Sequence, residues 1–349
     1  MNYRKMGRTG LMVSEISLGT VNFGSVVKEA EAIAIVKKAY QAGINHFDTA
    51  NVYPIGSGTF GISEEILGKA LKPFRHDVLI TTKVGSGIGK DPNPDLSRRN
   101  IIKEVDRSLT RLQTDYIDIY MAHARDVKTP IDETLRAMDD LIHSGKVRYI
   151  GCSLFDPWEI CKSLWISDKH NLARFDCVQT RYNAITRFAE FGMIPFCVSE
   201  GLGVFVYNPL SGGLLAGGFH KQEDKQVVAY EKGAPPPADS RFASGSYQKR
   251  YWYDRNLEAV KKINNIAERN NYSSVQLALA WLLQKQITSI LTCVDFPDQL
   301  DQNLSAIGIR LSDQDMQEFN DVYEAMLPQG WILQEREVRD SEIKGEFAF

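Results

Sequence analysis

Eight short apolar runs, each followed by a segment with helical periodicity, occupy about 300 of the 349 residues. They predict an α/β fold: a closed, parallel (β/α)8 TIM barrel with an N-terminal β-hairpin and extra C-terminal helices. A second observation is that Asp48, Lys83, His123 and Ser153 fall at the ends of consecutive strand signals, where barrels of this kind carry their chemistry. A third is the lack of a GxGxxG turn after the first strand, which makes a doubly wound sheet the runner-up. One barrel domain is expected over 1–349, with a long loop at 210–255 that covers a ligand and a tail at 328–349.

The elements follow in order. The opening NYRKMGRTGLMVS reads as a hairpin about a Gly-containing turn, and Glu15 to Gly19 as the first barrel strand. Glu29 to Gln41 carries apolar residues at Ala32, Ile33, Val36 and Ala39 and is closed by Gly43, a helix signature. The strand ending at Asp48 leads to a helix that Ser63 is expected to cap, with Glu64 and Glu65 in its first turn. Strand and helix then alternate: Val78 to Lys83, Ser97 to Leu112, Ile117 to Ala122, Ile131 to Ser144, Arg148 to Ser153, Asp156 to Ile166 and Cys177 to Thr180. A helix from Phe188 to Glu200, broken near Pro195, precedes the strand Gly203 to Tyr207. Helices at Arg255 to Arg269 and Ser274 to Gln284, a strand at Ser289 to Thr292 and a helix at Pro297 to Ile307 complete the pattern.

Composition excludes several classes. A hydrophobic share of 43% and a charged share of 24% are those of a globular chain, against disorder or a fibre. A net charge of −3, with no basic cluster, argues against nucleic acid and anionic membranes as partners. The N-terminus is interrupted by Gly7 and Gly10 before any apolar run, so no signal peptide is expected, and no stretch is long enough for a membrane span. Cys152, Cys161, Cys177, Cys197 and Cys293 are odd in number and widely spaced, which fits reduced thiols and a cytoplasmic setting.

Strand parity assigns the polar ends to one face. Ile44, His46 and Asp48 share a face, as do Leu79, Thr81 and Lys83, and Ile119, Met121 and His123. A charge among apolar neighbours needs a partner, and Asp48 with Lys83 is the evident pair. An ammonium beside a phenol favours the phenolate, and a carboxylate behind the ammonium keeps it charged, so Asp48 and Lys83 would make Tyr53 a usable acid. The His123 imidazole would orient a carbonyl or alcohol. These four catalytic candidates move a proton only; reduction of a carbonyl also needs hydride, which implies a nicotinamide.

The stretch GINHFDTANVYPIGSGTFGISEEILGKAL, with ITTKVG, IYMAHARD, SGKVRYIGCS, VQTRYN and VFVYNPLSGGLLAG, resembles the aldo-keto reductases over nearly the whole chain. The resemblance implies a single-domain barrel that binds dissociable NAD(H) or NADP(H) and acts on a small carbonyl or alcohol, with Asp48, Tyr53, Lys83 and His123 as the catalytic tetrad. It further implies that Ser153 and Gln179 hold the nicotinamide carboxamide and that Tyr207 stacks on the ring. By the same resemblance Leu210, Ser211, Gly212 and Leu214 lie beside the pyrophosphate, Arg241 reaches the adenosine end, and Gln299 and Asn303 surround the adenine.

Two departures from the family pattern stand out. Leu154 replaces the usual Asn after Ser153, and the loop Thr292 to Phe296 carries Asp295 where NADP-preferring members often carry a base. A carboxylate there would repel a 2′-phosphate and accept from a free ribose, a lean to NAD(H) that Arg241 opposes. Phe23, Phe155 and Trp331, with Tyr53 and His123, are the candidate substrate walls.

His46 reads as a buried structural histidine, and His76, His143, His170 and His220 as surface or loop residues. Two other functions compete. NPLSGGLLAG and the SRF and YW segments also resemble the β subunits of voltage-gated potassium channels, which would make the chain a regulatory cofactor-binding subunit. His46, Asp48 and His123 at strand ends bring a metal-dependent hydrolase to mind, but the later strands end in Ser153, Gln179 and Tyr207, so no metal is expected.

Overall fold

A computed structural model describes residues 1–55, 58–87, 93–217, 219–220, 227–228, 233, 235–237, 240–243 and 245–327. In chain order the elements begin with β1 (Tyr3–Lys5), β2 (Met12–Ser14), β3 (Ile16–Gly19), α1 (Glu29–Gln41), β4 (His46–Asp48), α2 (Ile62–Leu71), β5 (Leu79–Val84), α3 (Arg98–Leu112) and β6 (Ile117–Ala122). They continue with α4 (Ile131–His143), β7 (Val147–Ser153), α5 (Pro157–His170), β8 (Cys177–Arg181), α6 (Met193–Glu200), β9 (Gly203–Tyr207), β10 (Phe219–His220) and β11 (Val227–Val228). The last are α7 (Gly245–Tyr251), α8 (Asp254–Arg269), α9 (Ser274–Leu283), β12 (Ser289–Thr292), α10 (Pro297–Leu304) and α11 (Asp313–Glu324).

Local chemistry explains most boundaries. At α3 the Ser97 hydroxyl accepts from the Asn100 amide at 3.4 Å, and Ile101, Val105 and Leu112 form the buried stripe behind it. At α5 the Glu159 carboxylate reaches back to the Asp156 amide at 2.9 Å, with Pro157 opening the helix. Two sequence expectations need correction. Gly61, not Ser63, stands at the N-cap of α2; Ser63 is the second residue of the helix, buried, its hydroxyl bonded to those of Thr20 at 2.7 Å and Thr49 at 3.0 Å. Pro195 does not break α6: it lies in that helix's first turn, where no N–H partner is lost, and the interruption falls before Met193.

The chain divides into two compact units. The first comprises Met1–Tyr182, Arg187–Pro209 and Leu282–Ile307. It contains a closed barrel of eight parallel strands in the order β12-β3-β4-β5-β6-β7-β8-β9. The pleat turns alternate residues inward, so that Ile119, Met121, Cys177, Phe205 and Leu291 form the interior with Leu79, Tyr149 and Tyr207.

The hairpin β1–β2 packs Met6, Leu11 and Val13 against this interior and plugs the N-terminal end of the barrel. Gly203 is required there, because a Cβ would lie 2.5 Å from the Met6 Cγ. Arg4 clamps the plug through its bond to the Ile287 carbonyl at 2.9 Å. Strand β4 is the shortest of the barrel: it spans three residues, shares the registers Leu18↔Phe47 and Gly19↔Asp48 with β3, and is in register with β5 from His46↔Leu79 to Asp48↔Thr81.

The second unit comprises Asn183–Thr186, Leu210–Trp281 and the chain from Gly308. It holds the antiparallel pair β10–β11, and α8 meets α11 through Arg269, bonded to Asp315 at 2.7 Å and Glu318 at 3.0 Å. Trp281 stacks on Phe319 at 5.9 Å between ring centroids. Among the described residues no helix is long and apolar enough to cross a membrane.

Candidate active site

Asp48 ends β4 and Lys83 lies one residue from the end of β5, on adjacent strands at the C-terminal rim of the barrel. The Lys83 Nζ donates to the Asp48 Oδ1 at 2.5 Å and to the Thr49 carbonyl at 2.8 Å. Both side chains are enclosed, Lys83 at 0% and Asp48 at 4% exposure, so neither ion could exist there without the other. The second carboxylate oxygen, Oδ2, accepts from the Gln179 amide at 2.8 Å. Burial pushes the Asp48 carboxyl upward, while the Lys83 ammonium and the Gln179 amide pull against it.

Tyr53 follows on the loop after β4, its amide bonded to the Ala50 carbonyl at 3.1 Å, and the Lys83 Nζ lies 5.1 Å from its ring centroid. His123 stands just past β6, its backbone amide bonded to the Val84 carbonyl at 2.8 Å. Its ring meets that of Tyr53 edge-on, 5.7 Å between centroids and 80° between planes. Burial, with the Lys83 ammonium adding to it, pushes the His123 imidazolium down to about 3, and its Nδ1 is a buried atom without a hydrogen-bond partner. Asp48, Tyr53, Lys83 and His123 are thus brought together: a buried ion pair, a phenol and a neutral imidazole.

The remaining sequence candidates are placed as follows. Ser153 ends β7 at 2% exposure, in register with Gln179 of β8. Leu154, after it, is 56% exposed at φ 58°, a left-handed backbone that suits Asn better than Leu. Tyr207 ends β9, half-buried against the interior cluster. Asp295 accepts from the Asn22 amide at 2.5 Å. The Gln299 side-chain oxygen accepts from the Asp295 amide at 2.7 Å, capping α10, and Asn303 is buried. Phe23 and Phe155 are enclosed at 1% and 6%, Phe155 edge-on to Phe175.

In the second unit Ser211, Gly212 and Gly213 have consecutive left-handed φ values of 53°, 73° and 103°. Gly212 cannot take a Cβ, which would lie 2.7 Å from the Tyr247 ring, and the Ser211 hydroxyl is buried with no partner. Leu210 accepts from the Gly213 amide at 2.9 Å, and Leu214 is fully buried. The Arg241 side chain and Trp331 lie outside the described residues, as do the tail 328–349 and part of the loop 210–255.

Sequence reasoning did not anticipate the Gln179–Asp48 bond or the contribution of Asn51. The Asn51 amide group donates to Glu104 of α3 at 3.0 Å, and its backbone N–H to the Lys83 carbonyl at 3.2 Å, tying the Tyr53 loop down on both sides. The polar residue at the fourth position of the run DTAN was the available signal. Among the described residues no group of three or more His, Cys, Asp or Glu is placed to hold a metal. All five cysteines are free of disulfides, with Cys152, Cys177 and Cys197 buried.

Comparison with known proteins accords with this geometry. The chain is 34% identical over 319 residues to a probable voltage-gated potassium channel β subunit of Oryza sativa subsp. japonica, covering 88% of this chain and 92% of that one. It is 31% identical over 362 residues to an aldo-keto reductase of Alternaria alternata, covering 94% and 93%. Versiconal hemiacetal acetate reductase of Aspergillus parasiticus is 30% identical over 356 residues, covering 93% and 97%. The Aldo/keto reductase family model matches residues 15–324, and with the eight-stranded barrel around the Asp48–Lys83 pair this establishes that the chain belongs to that family of oxidoreductases.

Proposed function

We propose that the chain reduces an aldehyde or ketone, or oxidises the corresponding alcohol, with Tyr53 as the acid that moves the proton. The observation that carries this reading is the enclosed Lys83–Asp48 pair at 2.5 Å, with the Tyr53 ring 5.1 Å from the ammonium. The family generally uses NAD(P)H and acts on small carbonyl compounds, so hydride comes from a bound nicotinamide. The Ser153 hydroxyl and Gln179 amide suit its carboxamide, and the unpartnered Ser211 hydroxyl suits a phosphate oxygen.

In reduction the Tyr53 hydroxyl gives its proton to the carbonyl oxygen as negative charge develops there. Lys83, held ionised by Asp48, stabilises the phenolate left behind. His123, neutral throughout the working range, orients the carbonyl by a hydrogen bond rather than as an acid. In oxidation the phenolate takes the proton back.

The single domain over 1–349 belongs to this proposal, as do an aromatic substrate wall of Phe23, Phe155 and Trp331 and adenosine contacts from Arg241, Gln299 and Asn303. So does the lean to NAD(H), which rests on Asp295, held by Asn22. The test is a panel of aldehydes, ketones and alcohols with NADH, NADPH and their oxidised forms, followed by nicotinamide absorbance. Tyr53→Phe is expected to lose about 10²-fold or more in kcat while reduced-cofactor fluorescence still reports binding; full turnover in that variant ends the proposal. A kcat/KM much larger with NADPH than with NADH removes the lean to NAD. A regulatory cofactor-binding role is the alternative, supported by the likeness to the rice β subunit.

A further inference from the structure

Directly below the Asp48–Lys83 pair lies a second link between the same two strands. His46 is two residues before Asp48 on β4, Thr81 two before Lys83 on β5, and both point inward. The His46 Nε2 is 2.7 Å from the Thr81 Oγ1, and its Nδ1 is 2.8 Å from the Ser17 Oγ of β3. Ser17 Oγ is in turn 2.6 Å from the Ser289 Oγ of β12, and the Ser289 hydroxyl donates to the Ser14 carbonyl of β2 at 2.7 Å.

The direction of this chain is fixed at its far end. A hydroxyl has one proton, and that of Ser289 is committed to a carbonyl, which can only accept. Ser289 therefore accepts from Ser17, and Ser17, its own proton spent, must accept from His46. The imidazole accordingly carries its proton on Nδ1. Burial in this enclosed layer and the nearby Lys83 ammonium, the charged group facing it, push the His46 imidazolium down to about 3, so the ring is neutral and Nε2 is an acceptor for the Thr81 hydroxyl. The Phe205 ring, 4.8 Å between centroids, covers one side.

The lacing matters because β4 is the shortest strand of the barrel. It spans three residues, with two registers to β3 and three to β5, and its last residue is Asp48. We infer that His46 is a positioning residue: as the neutral Nδ1–H form it ties β4 to β3 and β5 and thereby sets Asp48 against Lys83. This deepens the proposed reaction, and only the activity arm of its test rests on that reading.

The test has two arms. In full-length protein labelled with ¹⁵N-histidine, the His46 signals, assigned by their absence in His46→Asn, are expected to show Nδ1 protonated and Nε2 bare at neutral pH. Ser289→Ala frees the Ser17 proton to turn towards His46, and a population protonated on Nε2 is expected to emerge. A wild-type ring protonated on Nε2, or no change in Ser289→Ala, overturns the inference. In the activity arm, His46→Phe keeps a planar ring and cuts both bonds, so kcat is expected to fall about tenfold or more with cofactor affinity unchanged, while His46→Asn, which keeps a donor for Ser17, recovers part of the loss. Equal falls in both variants, or a His46→Phe kcat within about twofold of wild type, contradict positioning. A wild-type protein that turns over no carbonyl defeats the proposed function and leaves the ¹⁵N result to decide the inference.

Discussion

Lys83 is the residue on which the others depend. Its ammonium is fully enclosed and balanced by one carboxylate, so Lys83→Met leaves Asp48 ionised with no cation and is expected to cost about 3–5 kcal/mol in a urea melt, besides abolishing turnover. The two buried histidines give an independent signature. His46 and His123 titrate near 3 in the fold against about 6.5 when unfolded, so the unfolded chain binds more protons between those values. Their stability contribution is therefore whole above about pH 6.5 and falls away on acidification, by about 1–2 kcal/mol each on going from pH 7 to 5. Urea midpoints at the two pH values check it, and His46→Phe should flatten part of the slope. The same low value means that a rate profile between about pH 5 and 8 carries no limb from His123; a limb there that vanishes in His123→Asn contradicts the neutral-imidazole role.

At the scale of elements, strands were more legible than caps. Ile117–Ala122, Gly203–Tyr207 and Ser289–Thr292 lie where apolar runs bounded by turn residues indicate, because a buried parallel strand leaves a plain hydrophobic block. Ser63 misled because a serine before acidic residues reads as a cap whether it faces the helix end or, as here, the hydroxyls of Thr20 and Thr49. The pair β10–β11 went unread, and α11 was expected only as an extra C-terminal helix without bounds; two-residue strands leave no periodicity, and α11 is polar on most of its surface. Strand β8 offers a test of a half-buried acid at an element's start. Burial raises Asp176, just before it, to about 6, against the opposing charges of Arg8 and Arg174. The fold thus binds the proton more tightly than the unfolded chain, and stability declines as pH rises through about 4 to 6. Asp176→Asn should gain about 1 kcal/mol at pH 7 and nothing at pH 4, read from denaturant midpoints.

For the whole molecule, barrel closure was legible from alternation and count, whereas the plug was visible only as a hairpin and not as a floor. Nothing in the run MGRTG states that Met6 will enter a space that Gly203, almost 200 residues away, leaves open. Gly203→Ala should force the hairpin and the barrel apart and lower stability by about 1–3 kcal/mol in a thermal or urea melt, with kcat little changed because the rim lies at the opposite end. The meeting of Asp48, Lys83 and His123 at the rim was readable for the converse reason: strand ends are fixed by strand lengths, and parity then decides which side chains face inward. What parity cannot give is which oxygen of Asp48 meets which partner.

That partition of Asp48 has a thermodynamic corollary. One oxygen serves the ammonium and the other serves Gln179, the same amide that suits a carboxamide ligand. A ligand that draws the Gln179 amide towards itself withdraws a donor from Asp48, makes that carboxylate more basic and strengthens its hold on Lys83. Linkage is reciprocal, so the ionisation of the Asp48–Lys83–Tyr53 set must feed back on the affinity of that ligand. The barrel rim then couples occupancy to acidity through a single side-chain amide, and binding isotherms measured across pH should carry the imprint of a proton that the ligand itself never touches.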